Sequence, residues 1–110
     1  MSDPIFEMHA QVCKVFTSPK RLEIINAIRN SEKSAGELVE ILKISQPNLS
    51  QHLAVLREKG VVAIRKEGQN IYYKIANPKI IKACDLMREV LIEKLKQDQK
   101  LAKELIKQGI

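Results

Sequence analysis

The stretch from Ser45 to Gly60 leaves this chain the fewest ways to fold. Ser45 is suited to N-cap a helix, its side-chain oxygen accepting from an otherwise unpaired backbone N–H. Pro47 stands in the first turn, where a missing donor costs nothing. Leu49, Leu53 and Leu56 recur at helical spacing and make one apolar stripe. Lys59 and Gly60 supply a cationic last turn and a terminator. The pattern predicts an amphipathic helix that must lay its leucines on a core. Its opposite face is unusual: Gln46, Asn48, Ser50, Gln51 and His52 are hydrogen-bonding groups, with no carboxylate until Glu58. Solvated faces usually mix Glu with Lys. A face of amides and hydroxyls without acid matches the donor and acceptor pattern of base edges in a DNA major groove. The bland alternative is a solvated surface helix whose Ser and Asn serve local capping.

Charge points the same way. The formal charge is +6 and the pI about 9.4, which favours a polyanionic partner. Residues 1–44 balance six basic against six acidic side chains, whereas residues 45–75 carry five basic against two acidic. The surplus therefore falls on the segment with the polar helix. At 110 residues the chain is expected to be one small domain, and 45% apolar residues are too many for a disordered one. No apolar run approaches the length of a membrane span and no signal-peptide core is visible, so a cytosolic protein without membrane association is expected. Cys13 and Cys84 are far apart in sequence and are expected to be reduced thiols there.

Around this helix the other elements follow from local signals. Asp3-Pro4 opens a first helix with Ile5, Met8, Val12, Val15 and Phe16 on one stripe and Cys13 beside it. Thr17-Ser18-Pro19 ends it and starts a second, with Leu22, Ile25 and Ile28 inward. Asn30 to Lys33 reads as a polar loop. Ser34-Ala35-Gly36-Glu37 is a capping box opening a short helix that carries Leu38, Val39, Ile41 and Leu42. Ile44 lies in a connection of about three residues before Ser45, so two short helices form a helix-turn-helix over residues 34–59. Val61–Lys66 and Ile71–Ile75 are β-rich about the turn residues Glu67-Gly68-Gln69-Asn70, a two-stranded hairpin that must pack on the helices. A helix-turn-helix followed by a hairpin is a winged helix, mainly α with a wing at 61–75. Asn77-Pro78 starts a last helix whose Ile80, Ile81, Cys84, Met87, Leu91 and Leu95 make too wide an apolar face for a solvated terminus. Polar Lys96–Lys100 is expected to bend or fray, and Leu101, Ala102, Leu105 and Ile106 resume the stripe. Residues 1–17 and 78–108 thus hold apolar surface beyond what one core needs, and a homodimer through the first and last helices is the economical solution.

The motifs resemble the ArsR/SmtB family of repressors. Ser18-Pro19-Lys20-Arg21-Leu22-Glu23-Ile24-Ile25 is similar to its D-P-x-R-L-x-I-L signature, and Ser45–Leu53 to its recognition helix, S-Q-x-x-[VL]-S-x-H-L. Leu56–Val62 and Arg65–Tyr73 resemble the helix end and the wing. The resemblance runs over about residues 5–95 and implies a homodimeric winged-helix repressor that leaves a pseudo-palindromic operator when an inducer binds. It also implies which inducer sites are absent. Where arsenic sensors carry Cys-x-Cys followed by Asp-Leu, this chain has Ser34-Ala35-Gly36-Glu37-Leu38. At the positions of the zinc ligands it has Asn77, Lys79, Val90 and Glu93, one ligand in four, so no metal and no cofactor is expected.

The expected DNA-binding residues are Ser45, Gln46, Asn48, Ser50, Gln51 and His52 on the helix, with Arg65, Lys66, Gln69 and Asn70 on the wing. A charged hairpin edge that discourages aggregation explains the wing cations equally well. Tyr72 and Tyr73 are expected to pack, and Lys20 and Arg21 to lie on the surface. Cys13 and Cys84 keep two readings. They are small apolar fillers, or a thiol sensor formed where the first and last helices meet, able to bridge, bind a soft metal ion and shift the DNA-reading helices. A direct disulfide needs Cα atoms within about 7 Å. An enzyme is not expected, since no nucleophile–base arrangement or phosphate-cradling loop is present. The remaining alternatives are an effector-independent DNA-binding regulator and a winged-helix protein-interaction module.

Overall fold

The computed structural model describes residues 3–109, the side chains of residues 100–102 excepted. The expected contributions of Lys100, Leu101 and Ala102, and of residues 1, 2 and 110, lie outside the described residues. The chain divides into a unit running to Pro78 and a second from Lys79 onward.

In the first unit every helix starts where a local cap dictates. Helix α1 (Pro4–Val15) opens on Asp3, whose carboxylate accepts from the Ile5 N–H at 2.9 Å, with Pro4 at its first position. Helix α2 (Pro19–Ala27) repeats the device with Ser18, which accepts from the Arg21 N–H. Ser34 begins helix α3 (Ala35–Leu42) through a complete capping box. Its hydroxyl accepts from the Glu37 N–H at 3.2 Å while its own N–H donates to the Glu37 carboxylate at 2.9 Å. The turn after α3 takes Lys43 into the left-handed region (φ 54, ψ 47), where its N–H reaches the Val39 carbonyl at 2.8 Å. Helix α4 (Gln46–Glu58) follows, capped by the Ser45 oxygen on the Asn48 N–H.

The end of α4 is a Schellman motif, and it explains why Gly60 is glycine. Gly60 stands at φ 75, its N–H donates to the Arg57 carbonyl and the Val61 N–H to the Leu56 carbonyl. Buried Leu56 and Val61 supply the accompanying apolar pair. Strand β2 (Val62–Glu67) then turns through Gly68-Gln69 into strand β3 (Asn70–Ile75), in the register Val62↔Ile75 to Glu67↔Asn70. Only Gly68 of the two loop residues has positive φ, as a type II′ hairpin turn requires.

Two expectations need correcting here. The wing is a three-stranded sheet of order β1-β3-β2, because strand β1 (Lys33–Ser34) pairs with Tyr73 and Tyr72. Lys33 therefore ends a loop only in sequence. In space it satisfies the outer edge of β3, which the hairpin alone leaves open. In α2, Ile24 is fully buried and Leu22 only half-buried, because α2 packs against both α3 and α4 and buries more than one stripe.

The core of this unit is Val15, Ile24, Ile25, Ile28, Leu38, Leu49, Leu53, Leu56, Val61 and Val62. Ile41 stays half exposed, so α3 contributes a narrower stripe than its sequence offers. In α1, burial reaches only Val15; Phe6 is 67% and Met8 65% exposed. In the second unit α5 (Pro78–Leu95) has no fully buried residue, and Leu86, Met87, Val90 and Leu91 are all exposed. The polar stretch after Leu95 is where that helix ends, and α6 (Gln99–Lys107) begins beyond it. No described helix is long and apolar enough to cross a membrane.

Candidate nucleic-acid interface

The leucines of α4 place its other face. Leu49, Leu53 and Leu56 are buried, so the turns between them point Gln46, Asn48, Ser50 and Gln51 outward, and all four are exposed. None of these four side chains hydrogen-bonds to a described residue, so their donors and acceptors are turned toward solvent. Thirteen residues make a rod about 20 Å long, enough to lie across a major groove about 12 Å wide. Ser45, also exposed, uses one lone pair on the Asn48 N–H and keeps its own O–H to donate.

His52 differs from its neighbours. It is half-buried, and burial, followed by the nearby charge of Arg21, holds its pKa below the usual histidine value. At neutral pH the ring is uncharged and offers one donor and one acceptor. Arg21 is itself turned inward, Nη1 donating at 3.5 Å to the Val15 carbonyl at the end of α1, with its buried Nε unpaired. Lys20 pairs with Glu23 at 3.1 Å on the exposed side of α2.

Alternation along β2 separates the wing cations. Lys66 lies on one face of the strand; Arg65 and Glu67 lie on the other. Lys66, Gln69 and Asn70 are exposed around the turn, as expected of a wing tip. Arg65 is not at the tip but two pairs further in than Glu67↔Asn70, opposite Tyr72, with its guanidinium 4.7 Å from that ring's centre. Its Nε donates to both Glu32 carboxylate oxygens at 3.0 and 3.1 Å, Nη2 also reaches Glu32, and Nη1 donates to Glu67 at 2.9 Å. These bonds hold Arg65 firmly cationic and draw the Glu32 pKa below the ordinary carboxylate value. Glu32 carried no signal in the sequence, since its partner lies 33 residues away. Tyr72 and Tyr73 are half-buried.

Cys13 is exposed on α1, which does not fit the apolar-filler reading in a single chain, and Cys84 is half-buried on α5. Among the described residues no group of three or more His, Cys, Asp or Glu side chains is placed to hold a metal ion.

Comparison with known proteins agrees with this fold. Residues 18–63 match the family of bacterial regulatory proteins called arsR. Over 91 residues the chain is 36% identical to the uncharacterised HTH-type transcriptional regulator Rv0081 of Mycobacterium tuberculosis, covering 82% of this chain and 80% of that one. It is 38% identical over 78 residues to the biofilm growth-associated repressor of Agrobacterium fabrum, covering 71% and 67%. With the transcriptional activator HlyU of Vibrio cholerae it shares 36% over 77 residues, covering 70% and 71%. The fold matches the crystal structure of Rv0081 with a TM-score of 0.82 at 35% identity, over 88% of this chain and 98% of that one. It also matches the homodimeric winged helix-turn-helix DNA-binding domain of Mb0332 from Mycobacterium bovis, with a TM-score of 0.79 at 25% identity over 88% and 93%.

Proposed function

The chain belongs to the ArsR family of bacterial regulatory proteins and is a DNA-binding transcriptional regulator, and from that premise we propose that it is a homodimeric repressor reading a pseudo-palindromic operator through α4. The observation that carries the proposal is the exposed, acid-free face of α4 backed by three buried leucines. Gln46, Asn48, Gln51 and neutral His52 meet base edges, Asn and Gln being able to form bidentate pairs with adenine. Ser45 and Ser50 reach bases or phosphates. Lys66, Gln69 and Asn70 contact the adjacent backbone or minor groove from the wing, while Arg65 is held back by its carboxylates.

A dimer covers the apolar side chains left exposed on α1 and α5, namely Phe6 and Met8 on one and Met87 and Val90 on the other. Mb0332 is itself described as homodimeric. Two recognition helices then meet half-sites one helical turn apart, about 34–36 Å. Occupancy of an operator blocks transcription, the direction assigned to the Agrobacterium relative. Release by an inducer is assigned to Cys13 and Cys84, one on each dimerisation helix, by oxidation, persulfide bridging or a thiophilic metal.

Selection from a pool of random duplexes tests the proposal. It is expected to enrich an inverted repeat whose binding weakens steeply as salt rises. A pool that stays random, or a flat salt response, would contradict it.

A further inference from the structure

We propose that Glu32 and Arg65 form a strap that fixes the angle of the wing to the helix-turn-helix, so that both govern DNA affinity as positioning residues without touching DNA. The inference rests on the DNA-binding reading above and concerns how the wing is held.

The register sets out the strap. Ser34, Tyr72 and Arg65 occupy one row across β1, β3 and β2, with Ser34 paired to Tyr72 and Tyr72 to Arg65. Side chains in such a row share a face of the sheet. Arg65 leaves β2, passes over the Tyr72 ring at 4.7 Å and ends on Glu32, two residues ahead of Ser34. The side chain thus crosses the whole sheet. A forked guanidinium–carboxylate pair resists rotation in a way a single hydrogen bond does not. What lies beyond Glu32 gives the strap its consequence. Lys33 and Ser34 are β1, and Ser34 is also the N-cap of α3, the first helix of the helix-turn-helix. A two-residue strand holds an edge weakly by itself, so the crossing side chain reinforces the link from wing to α3, beside the packing of β3 on α3 and of β2 on α4.

The same geometry argues against Arg65 as a phosphate ligand. Three of its nitrogens already donate to carboxylates and it packs on an aromatic ring. Glu32 and Glu67 neutralise the Arg65 charge locally, which leaves it little attraction for a phosphate.

Three variants of the full chain separate the alternatives: Glu32→Gln, Arg65→Met and the exchange Glu32→Arg with Arg65→Glu. The exchange keeps the wild-type net charge, so long-range attraction to DNA is unaltered. Each single variant is expected to weaken binding to the selected duplex roughly two- to fivefold, the scale of one exposed charge pair, with the salt slope unchanged. The exchanged protein should bind closer to wild type than either single variant, short of full recovery because it loses the Tyr72 stacking and the bond to Glu67. A salt slope smaller by about 0.9 in Arg65→Met would mark Arg65 as a phosphate ligand and overturn the strap. So would an exchanged protein no better than the singles. Amide hydrogen exchange without DNA gives an independent arm. Exchange at Lys33 and Tyr73, the pair that joins β1 to β3 outside the capping box, should quicken in both single variants and slow again in the exchanged one, and unchanged protection overturns the strap. Absence of salt-dependent DNA binding by the wild type overturns the DNA reading instead, which the exchange arm distinguishes.

Discussion

Truncating Leu49 to alanine isolates the structural half of α4 from its polar half. Leu49 is 0% exposed and lies one turn from Gln46 and beside Ser50. Removing three carbons forfeits about 2.4 kcal/mol of transfer free energy at about 0.8 kcal/mol each. A partly relaxed cavity of ~60 Å³ adds ~1.5 kcal/mol at about 24 cal/mol per Å³. The loss is then about 4 kcal/mol, against a total of roughly 4–12 kcal/mol for a unit of this size. The melting temperature should fall on the order of 20 °C. Ser50→Ala, on the exposed face of the same turn, should change stability by less than about 0.5 kcal/mol. Urea unfolding followed by far-ultraviolet circular dichroism measures both, at one protein concentration because association contributes. A Leu49→Ala cost below about 1 kcal/mol, or an equal cost for Ser50→Ala, would refute the assignment of faces.

Other expectations follow from the same structure. Val90→Glu places a charge on the apolar face of α5, where Val90 is 58% exposed, and should convert a dimer to monomers in sedimentation equilibrium; an unchanged mass would remove α5 from the interface. Glu37 has its pKa lowered by the Ser34 backbone N–H and then its hydroxyl, so its contribution is present above the ordinary value of 4.5 and lost as pH falls through the folded value. Acid unfolding of Glu37→Gln should accordingly be shallower below that pH, and an identical profile would deny the box its role. His52 has a lowered folded pKa, so the unfolded chain takes up its proton first and stability should decline as pH drops below 6.5, an effect absent in His52→Gln. Cys13→Ser and Cys84→Ser should each abolish release from DNA by oxidant, polysulfide or arsenite, and release unaltered in both returns the thiols to a packing role.

Local chemistry made most of the fold legible. Asp3, Ser18, Ser34 and Ser45 are caps whose partners lie two or three residues away, so helix starts could be read directly. Gly60 and Gly68 mark the end of α4 and the hairpin turn through positive φ, which glycine permits. The leucines of α4 separate its faces by period alone. What escaped was non-local. Strand β1 is two residues long and exists only because β3, nearly forty residues later, has an open edge. Ile24 is buried on a helix that packs against two others, which a single stripe does not reveal. Arg65 looked like a wing-tip cation because the chain does not show Glu32 folding back beside it. The lowered pKa of His52 is likewise a product of burial and of Arg21, neither visible from Ser45–Gly60.

The most direct test of the central claim compares two affinities in wild type and in the Gln46→Ala, Ser50→Ala protein, one for the selected duplex and one for a scrambled duplex of equal length and salt. If the polar face of α4 reads sequence, the selected duplex loses about 1–3 kcal/mol per base contact while the scrambled duplex is bound as before. Equal losses on both duplexes, or none on either, would contradict it.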